Sequence, residues 1–92
     1  MSQAKWPTKR IVEVDWVDSA FCRGWQSTQS KKDDQGIVTC RSVGYLLDSD
    51  DTQIRLVGSQ TPSSATDGST VADGLSIPRV AVRRIRVIGR VK

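Results

Sequence analysis

The chain has 92 residues, of which 37% are hydrophobic and 26% charged, and its formal net charge is +4. This composition is typical of one globular domain and excludes a disordered or membrane-spanning chain. The sequence contains no histidine, which removes the commonest general base and metal ligand, so we expect a non-enzymatic protein without a cofactor.

Residues 1–10 are predicted to be a flexible basic arm ahead of a single domain at 11–92. The arm contains Lys5, Lys9 and Arg10, with Trp6 among them. It lacks the apolar run of a secretory signal, and the chain has no apolar run of the roughly 18 residues that span a membrane. We therefore expect a cytoplasmic protein with no membrane partner.

The segment 10–19 alternates in the manner of a half-buried strand. Val12, Val14 and Trp16 share one face, while Glu13 and Asp15 lie on the other. Trp16 is therefore expected to belong to the core of the protein. The polar stretch 26–36, further along the chain, is expected to be an exposed loop.

Two further strands are predicted at 37–47 and 52–58, and they read as a hairpin. Gly44, inside the first of them, indicates a bulge or a sharp bend. In the second strand, Ile54 and Leu56 should face inward.

A polar stretch at 59–74 precedes the last strand. It is either a long loop or an extended hairpin tip, because structureless loops of this length are uncommon in compact domains. A turn at Pro78 then leads into a strand at 81–88. The fold class is therefore all-β: a small barrel of about five strands with a long polar loop before the last strand.

Three short patterns carry a resemblance to known proteins: W-x-D-S at 16–19, S-V-G-x-L at 42–46 and I-P-x-x-A-V at 77–82. In this order they resemble the SH3-like and Sm-like small β-barrels, and among them short proteins common in bacteriophage genomes. The resemblance implies a location in the cytoplasm of a bacterial host cell. Sm-like proteins commonly bind RNA and form rings through their last two strands, which would implicate the neighbourhood of Arg79 to Arg86.

The positive charge is concentrated at the end of the chain. Residues 1–78 contain eight basic and ten acidic side chains, whereas residues 79–92 contain six basic and no acidic ones. Alternation places Ile85 and Val87 in the core and Arg84 and Arg86 outside. The arginines could bind phosphate, protect an edge strand from aggregation, or pair with the acidic turn at 48–51.

Trp6 is the aromatic residue most suited to a ligand, because cations flank it in the sequence. It could stack on a base or plug one end of the barrel. Cys22 and Cys40 are expected to be free thiols, and the aspartates at 48–51 to serve turn geometry, so no metal site is predicted.

These observations predict a binding module for a phosphate-bearing nucleotide or nucleic acid, and the resemblance implies that it is a phage accessory protein. The alternative is a counter-defence or host-takeover protein that inhibits a host protein or sequesters a signalling nucleotide through its loops. A homo-oligomer is expected in either case. The predicted ligand-binding residues are Arg79, Arg83, Arg84, Arg86, Trp6, Lys9 and Arg10.

Overall fold

A computed structural model describes residues 5–19, 25, 27–29, 32, 36–64 and 67–92. Within these residues the chain forms one antiparallel sheet of five strands in the order β4-β3-β2-β1-β5. The strands are β1 (Arg10–Asp18), β2 (Val38–Ser49), β3 (Gln53–Thr61), β4 (Thr70–Pro78) and β5 (Val82–Arg90), and a 3-10 turn at Arg79–Ala81 joins the last two. The all-β prediction is confirmed, and the small barrel-like sheet is open rather than closed.

The long strand β2 pairs with both β1 and β3, so it belongs to both halves of the sheet. Its first part pairs with β1 as far as Tyr45, and its second part pairs with β3 from Tyr45 onward. A Cβ on Gly44 would lie 3.0 Å from the carbonyl oxygen of Val57. Glycine is needed at this position because the two backbones approach so closely. The pairing of β2 with β1 runs through Gly44 without a shift of register, whereas its pairing with β3 shifts between Leu46 and Asp48. The irregularity predicted at Gly44 therefore lies further along the strand.

The core lies on one face of the sheet. It consists of five fully or almost fully buried side chains, Val12, Val14, Ile54, Leu56 and Ile77. Trp16 packs against this cluster and donates a hydrogen bond from Nε1 to Ser42 Oγ over 3.0 Å. The core residues expected from the alternation of β1 and β3 are confirmed.

The polar stretch 59–74 is largely a hairpin, the second of its two interpretations. Strand β3 continues to Thr61 and β4 begins at Thr70, so only residues 62–69 connect them. The two threonine hydroxyls lie 2.6 Å apart across the strands, and the Thr70 N–H donates to Thr61 Oγ1. Such hydrogen bonds between threonines on neighbouring strands stabilise the pairing of β3 with β4, although the polar composition of this stretch resembles that of a loop.

Two residues assigned to the core on β5 are more exposed than expected. Ile85 lies opposite Val14, and Val87 opposite Val12, so both are on the core face. They nevertheless remain 39% and 45% exposed. The reason is that β5 is an edge strand, and the described residues place nothing over this part of the face.

The segment before β1 is attached to the β3–β4 hairpin. Lys5 and Ser63 exchange backbone hydrogen bonds, and the backbone N–H and hydroxyl of the buried Thr8 both donate to Gln60 Oε1, over 3.1 and 2.7 Å. Residues 5–9 belong to the stretch predicted to be a flexible arm. Residues 1–4, like Cys22, lie outside the described residues.

Beyond β1, the polar stretch 26–36 is exposed at each position that the structure describes, and Trp25 is fully exposed. Cys40 is half-buried and free. No helix in the described ranges is long and apolar enough to cross a membrane.

Candidate anion-binding site

The arginines of β5 lie on the outer face beside carboxylates of β1. Arg84 is directly opposite Asp15, and Arg86 is opposite Glu13. On the other side of β1, Arg41 of β2 is also opposite Asp15. We call this set the charge ladder. It consists of two carboxylates on β1, flanked by one arginine on β2 and two on β5.

The charge ladder is held by ion pairs. Arg41 Nε lies 2.7 Å from Asp15 Oδ1 and 3.5 Å from Glu13 Oε1, and Arg86 Nη2 lies 3.3 Å from Glu13 Oε2. The hydrogen bond from Arg41 lowers the pKa of Asp15, and the same bond raises the pKa of Arg41. Positive charge from Arg84 and Arg86 also contributes to the lowered pKa of Asp15. The arginines of the ladder thus already face anions of the protein itself.

The other two predicted arginines, Arg79 of the 3-10 turn and Arg83 of β5, donate hydrogen bonds to nearby neutral groups. Arg79 donates from Nη2 to Ser49 Oγ over 2.8 Å and from Nε to the carbonyl oxygen of Asp50 over 3.2 Å. Arg83 Nη1 donates to the carbonyl oxygen of Val80 over 3.1 Å. Arg79 therefore binds the acidic turn through a hydroxyl and a backbone carbonyl rather than through a carboxylate.

A second basic surface lies where β1 begins and β5 ends. Arg10 is directly opposite Arg90, and the Val91 N–H donates to the carbonyl oxygen of Lys9 over 2.9 Å. We call this surface the basic end; its charged members are Lys9, Arg10, Arg90 and Lys92. None of the four forms an ion pair with a carboxylate among the described residues.

Two open grooves border the basic end. The first has a volume of about 230 Å³; we call it the aromatic groove, and its lining residues are Trp6, Ile11, Tyr45, Gln60, Arg90 and Val91. The second, of about 320 Å³, contains Lys9 and Arg10 beside Leu46 and Leu47. Asp48 also lines the second groove, and Arg55 pairs with it over 2.7 Å.

The predicted ligand-binding residues therefore fall into two groups. Trp6, Lys9 and Arg10 lie at or beside the basic end. The other four lie in the 3-10 turn and in β5: Arg79, Arg83 and Arg86 donate hydrogen bonds within the protein, and Arg84 lies opposite Asp15. The predicted set of ligand-binding residues did not include Arg90 or Tyr45. Arg90 could have been found from the pairing of the first and last strands, since it then lies opposite Arg10.

The aspartates of the acidic turn support the turn itself. Asp50 Oδ1 accepts hydrogen bonds from the hydroxyl and N–H of Thr52 and from the N–H of Gln53. These bonds, the one from the Thr52 hydroxyl first, lower the pKa of Asp50. No cluster of three potential metal ligands occurs within the described ranges.

Comparison of the chain with protein-family models, with curated proteins and with solved structures found no match.

Proposed function

We propose that this protein is a non-enzymatic binding module for a phosphate-bearing nucleotide or nucleic acid, and that the basic end is its binding surface. The observation that carries the proposal is the pair of Arg10 and Arg90, which lie directly opposite each other without a carboxylate partner among the described residues. Like charges directly opposite on neighbouring strands are destabilising. An anion bound between them offsets that repulsion.

The basic end is favoured over the charge ladder because its cations are available. In the ladder, Glu13 and Asp15 neutralise two of the three arginines, whereas the basic end holds four cations. A guanidinium offers a planar pair of N–H donors that matches the oxygens of a phosphate. The exposed lysines add attraction without fixed geometry, and this contribution is screened by salt.

The test compares two double variants that change the net charge equally. Arg10→Gln/Arg90→Gln removes two arginines from the basic end, and Arg84→Gln/Arg86→Gln removes two from the ladder. Binding to a short fluorescein-labelled single-stranded oligonucleotide is measured by fluorescence anisotropy at several salt concentrations. We expect the first variant to lose about tenfold or more in affinity, and the slope of log K against log salt to flatten by about 1.4.

The control variant should keep most of its affinity. Equal losses in the two variants would mean that only net charge matters, and that result would overturn the assignment to the basic end. Absence of binding by the unaltered protein at low salt would overturn the proposed function itself.

A protein-interaction module is the second candidate, and the exposed core face of β5 favours it. Ile85 and Val87 lie opposite fully buried valines yet are themselves exposed. Apolar side chains on an edge strand favour pairing with another chain, and we propose a second copy of this protein as the partner. A host protein is the alternative partner for the exposed core face of β5, and its binding would correspond to an inhibitory role.

Sedimentation measurements test self-association. The unaltered protein should have a mass above the 10.1 kDa of one chain. Ile85→Lys/Val87→Lys should lower the mass, whereas Val43→Lys on the opposite face should leave it unchanged. A monomeric unaltered protein would rule out self-association.

A further inference from the structure

The aromatic groove combines apolar walls with a cation. Trp6 and Tyr45 are half-buried aromatic residues that line it, with the aliphatic side chains of Ile11 and Val91 beside them. Arg90 of the basic end lines the same groove. Aromatic side chains next to an arginine provide the stacking surface and the phosphate contact that proteins use to hold unpaired bases.

Gln60 adds directional hydrogen bonding to this groove. The Thr8 N–H can only donate, so the Gln60 atom that it contacts is the carbonyl oxygen Oε1. Oε1 also accepts from the Thr8 hydroxyl, and the two bonds fix the orientation of the amide. The Nε2 group therefore presents two N–H donors, which have no partner among the described residues, and these suit the acceptor atoms on the edge of a base.

Hydrogen bonds hold the segment that contributes Trp6 to the groove. Lys5 is paired with Ser63 of the hairpin connection, and Thr8 is bonded to Gln60 of β3. The Val91 N–H, from another lining residue, donates to the carbonyl oxygen of Lys9. A wall fixed before binding lowers the entropic cost of ordering the site around a ligand.

We propose that the aromatic groove binds one unpaired base of a single-stranded nucleic acid, with the adjoining phosphate on Arg90. This inference rests on the proposed function and adds the class of ligand to it. At about 230 Å³, the groove is smaller than the roughly 300–1,000 Å³ of pockets that enclose a drug-sized ligand. It accommodates one ring system, and the sugar and phosphates remain outside against the basic end.

Single-stranded nucleic acid is favoured over a duplex because only unpaired bases present a free face. In a duplex each base is stacked and paired, and its removal requires a few kcal/mol of unstacking energy. A free mononucleotide offers the base but fewer phosphates for the four cations of the basic end. A single-stranded nucleic acid therefore provides ligands for both the aromatic groove and the basic end, whereas a mononucleotide provides one only for the groove.

The experiment compares oligonucleotides with equal backbone charge. Anisotropy competition uses a single-stranded oligonucleotide, an abasic oligonucleotide of the same length, a duplex and a mononucleotide. We expect the base-containing strand to bind about tenfold more tightly than the abasic strand, the usual contribution of one stacked base. The duplex and the mononucleotide should bind more weakly than the single strand.

Substitutions of Trp6 then test whether the preference for the base-containing strand over the abasic strand arises in the aromatic groove. Trp6→Leu should reduce the affinity for the base-containing strand to about that for the abasic strand, and Trp6→Phe, which keeps an aromatic face, should retain most of the preference. Arg10→Gln/Arg90→Gln should weaken binding of both strands by the same factor.

The outcomes separate this inference from the proposed function. Equal binding of base-containing and abasic strands overturns the base site while the anion site stands. Absence of binding to both strands overturns both proposals. Tighter binding of the duplex or the mononucleotide overturns the assignment to single strands. If Trp6→Leu does not fold, the comparison of the strands on the unaltered protein still decides the question.

Discussion

The charge ladder and the basic end share strands β1 and β5 and use arginine in opposite ways. In the ladder, the arginines of β5 are opposite Glu13 and Asp15 of β1; at the basic end, Arg90 of β5 is opposite Arg10. Only a few positions along the strands separate the two regions. The role of an arginine in this sheet is therefore set by the residue across from it on the next strand, rather than by its neighbours in the sequence.

The two arrangements also differ in what they contribute to the isolated fold. Opposite charges across strands contribute favourably and like charges unfavourably, by a few tenths of a kcal/mol up to about 1 kcal/mol. The ladder therefore supports the pairing of three strands, whereas the basic end weakens the pairing of two. A surface whose repulsion a bound anion would relieve is better suited to binding than one whose charges the protein already neutralises.

The largest expected effect comes from Gly44, because the basic end depends on the contact of β2 with β3 there more than the ladder does. The grooves beside the basic end use Tyr45 and Leu46, which follow Gly44, and Gln60 of β3. The ladder uses only Arg41 of β2, which precedes Gly44. In Gly44→Val, the new side chain meets the Val57 carbonyl oxygen, and we expect the free energy of unfolding to fall by about 1–3 kcal/mol.

Urea denaturation measures this loss. Gly36→Val is the matched control, since a Cβ on Gly36 meets no atom within 4 Å. Equal destabilisation by the two substitutions would show that the close approach at Gly44 is not what requires glycine.

The second prediction converts the ladder into a surface like the basic end. In Glu13→Gln/Asp15→Asn the three arginines of the ladder lose their partners, so they become available to phosphate. We expect affinity for a single-stranded oligonucleotide to rise by about tenfold at low salt, with a steeper dependence on salt. Anisotropy titration measures both quantities.

A charge-matched control decides whether position matters. Asp67→Asn/Asp73→Asn removes two carboxylates from the β3–β4 hairpin, and both aspartates are exposed. A gain as large as that of the ladder variant would contradict the prediction, because net charge alone would then explain it.

The smallest expected effect is on stability in acid. The pKa of Asp15 and that of Asp50 are both lowered in the folded protein, the first by Arg41 and the second by hydrogen bonds from Thr52 and Gln53. A carboxyl whose folded pKa lies below its unfolded value stabilises the fold above the unfolded value, near the ordinary 3.8. That stabilisation is lost as the pH falls through the lower folded pKa.

The melting temperature should therefore decrease between about pH 4 and pH 2. Asp15→Asn and Asp50→Asn should each make that decrease shallower. Added salt should reduce the contribution of Asp15, which depends on ion pairs, more than that of Asp50, which depends on hydrogen bonds. If neither substitution changed the pH dependence of the melting temperature, the stabilising roles assigned to Asp15 and Asp50 would be refuted.

Sequence periodicity predicted the faces of the strands better than it predicted their burial. It placed Val12, Val14, Ile54 and Leu56 in the core, and all four are buried. It also placed Ile85 on the core face but could not show that this face is uncovered at β5. Alternation depends only on the backbone, whereas burial depends on what packs above the strand.

The candidate site was predictable only in part, for a related reason. Composition identified a basic C-terminal segment, and the residue type of Trp6 made it a candidate for stacking. The partners of the arginines depend on register, which no local pattern in either strand specifies. Arg86 and Arg90 are four positions apart, and only the pairing with β1 shows that one faces Glu13 and the other Arg10.

The pairing of Arg10 with Arg90 brings together residues eighty positions apart in the chain. In the unfolded chain the two guanidiniums are distant, and neither their repulsion nor a shared anion site exists. Ligand binding and folding are therefore linked equilibria: a ligand that requires both arginines binds only the folded chain and raises its melting temperature as ligand concentration rises. If the proposed anion site is occupied, the stability of this sheet depends on the concentration of the ligand as well as on the sequence.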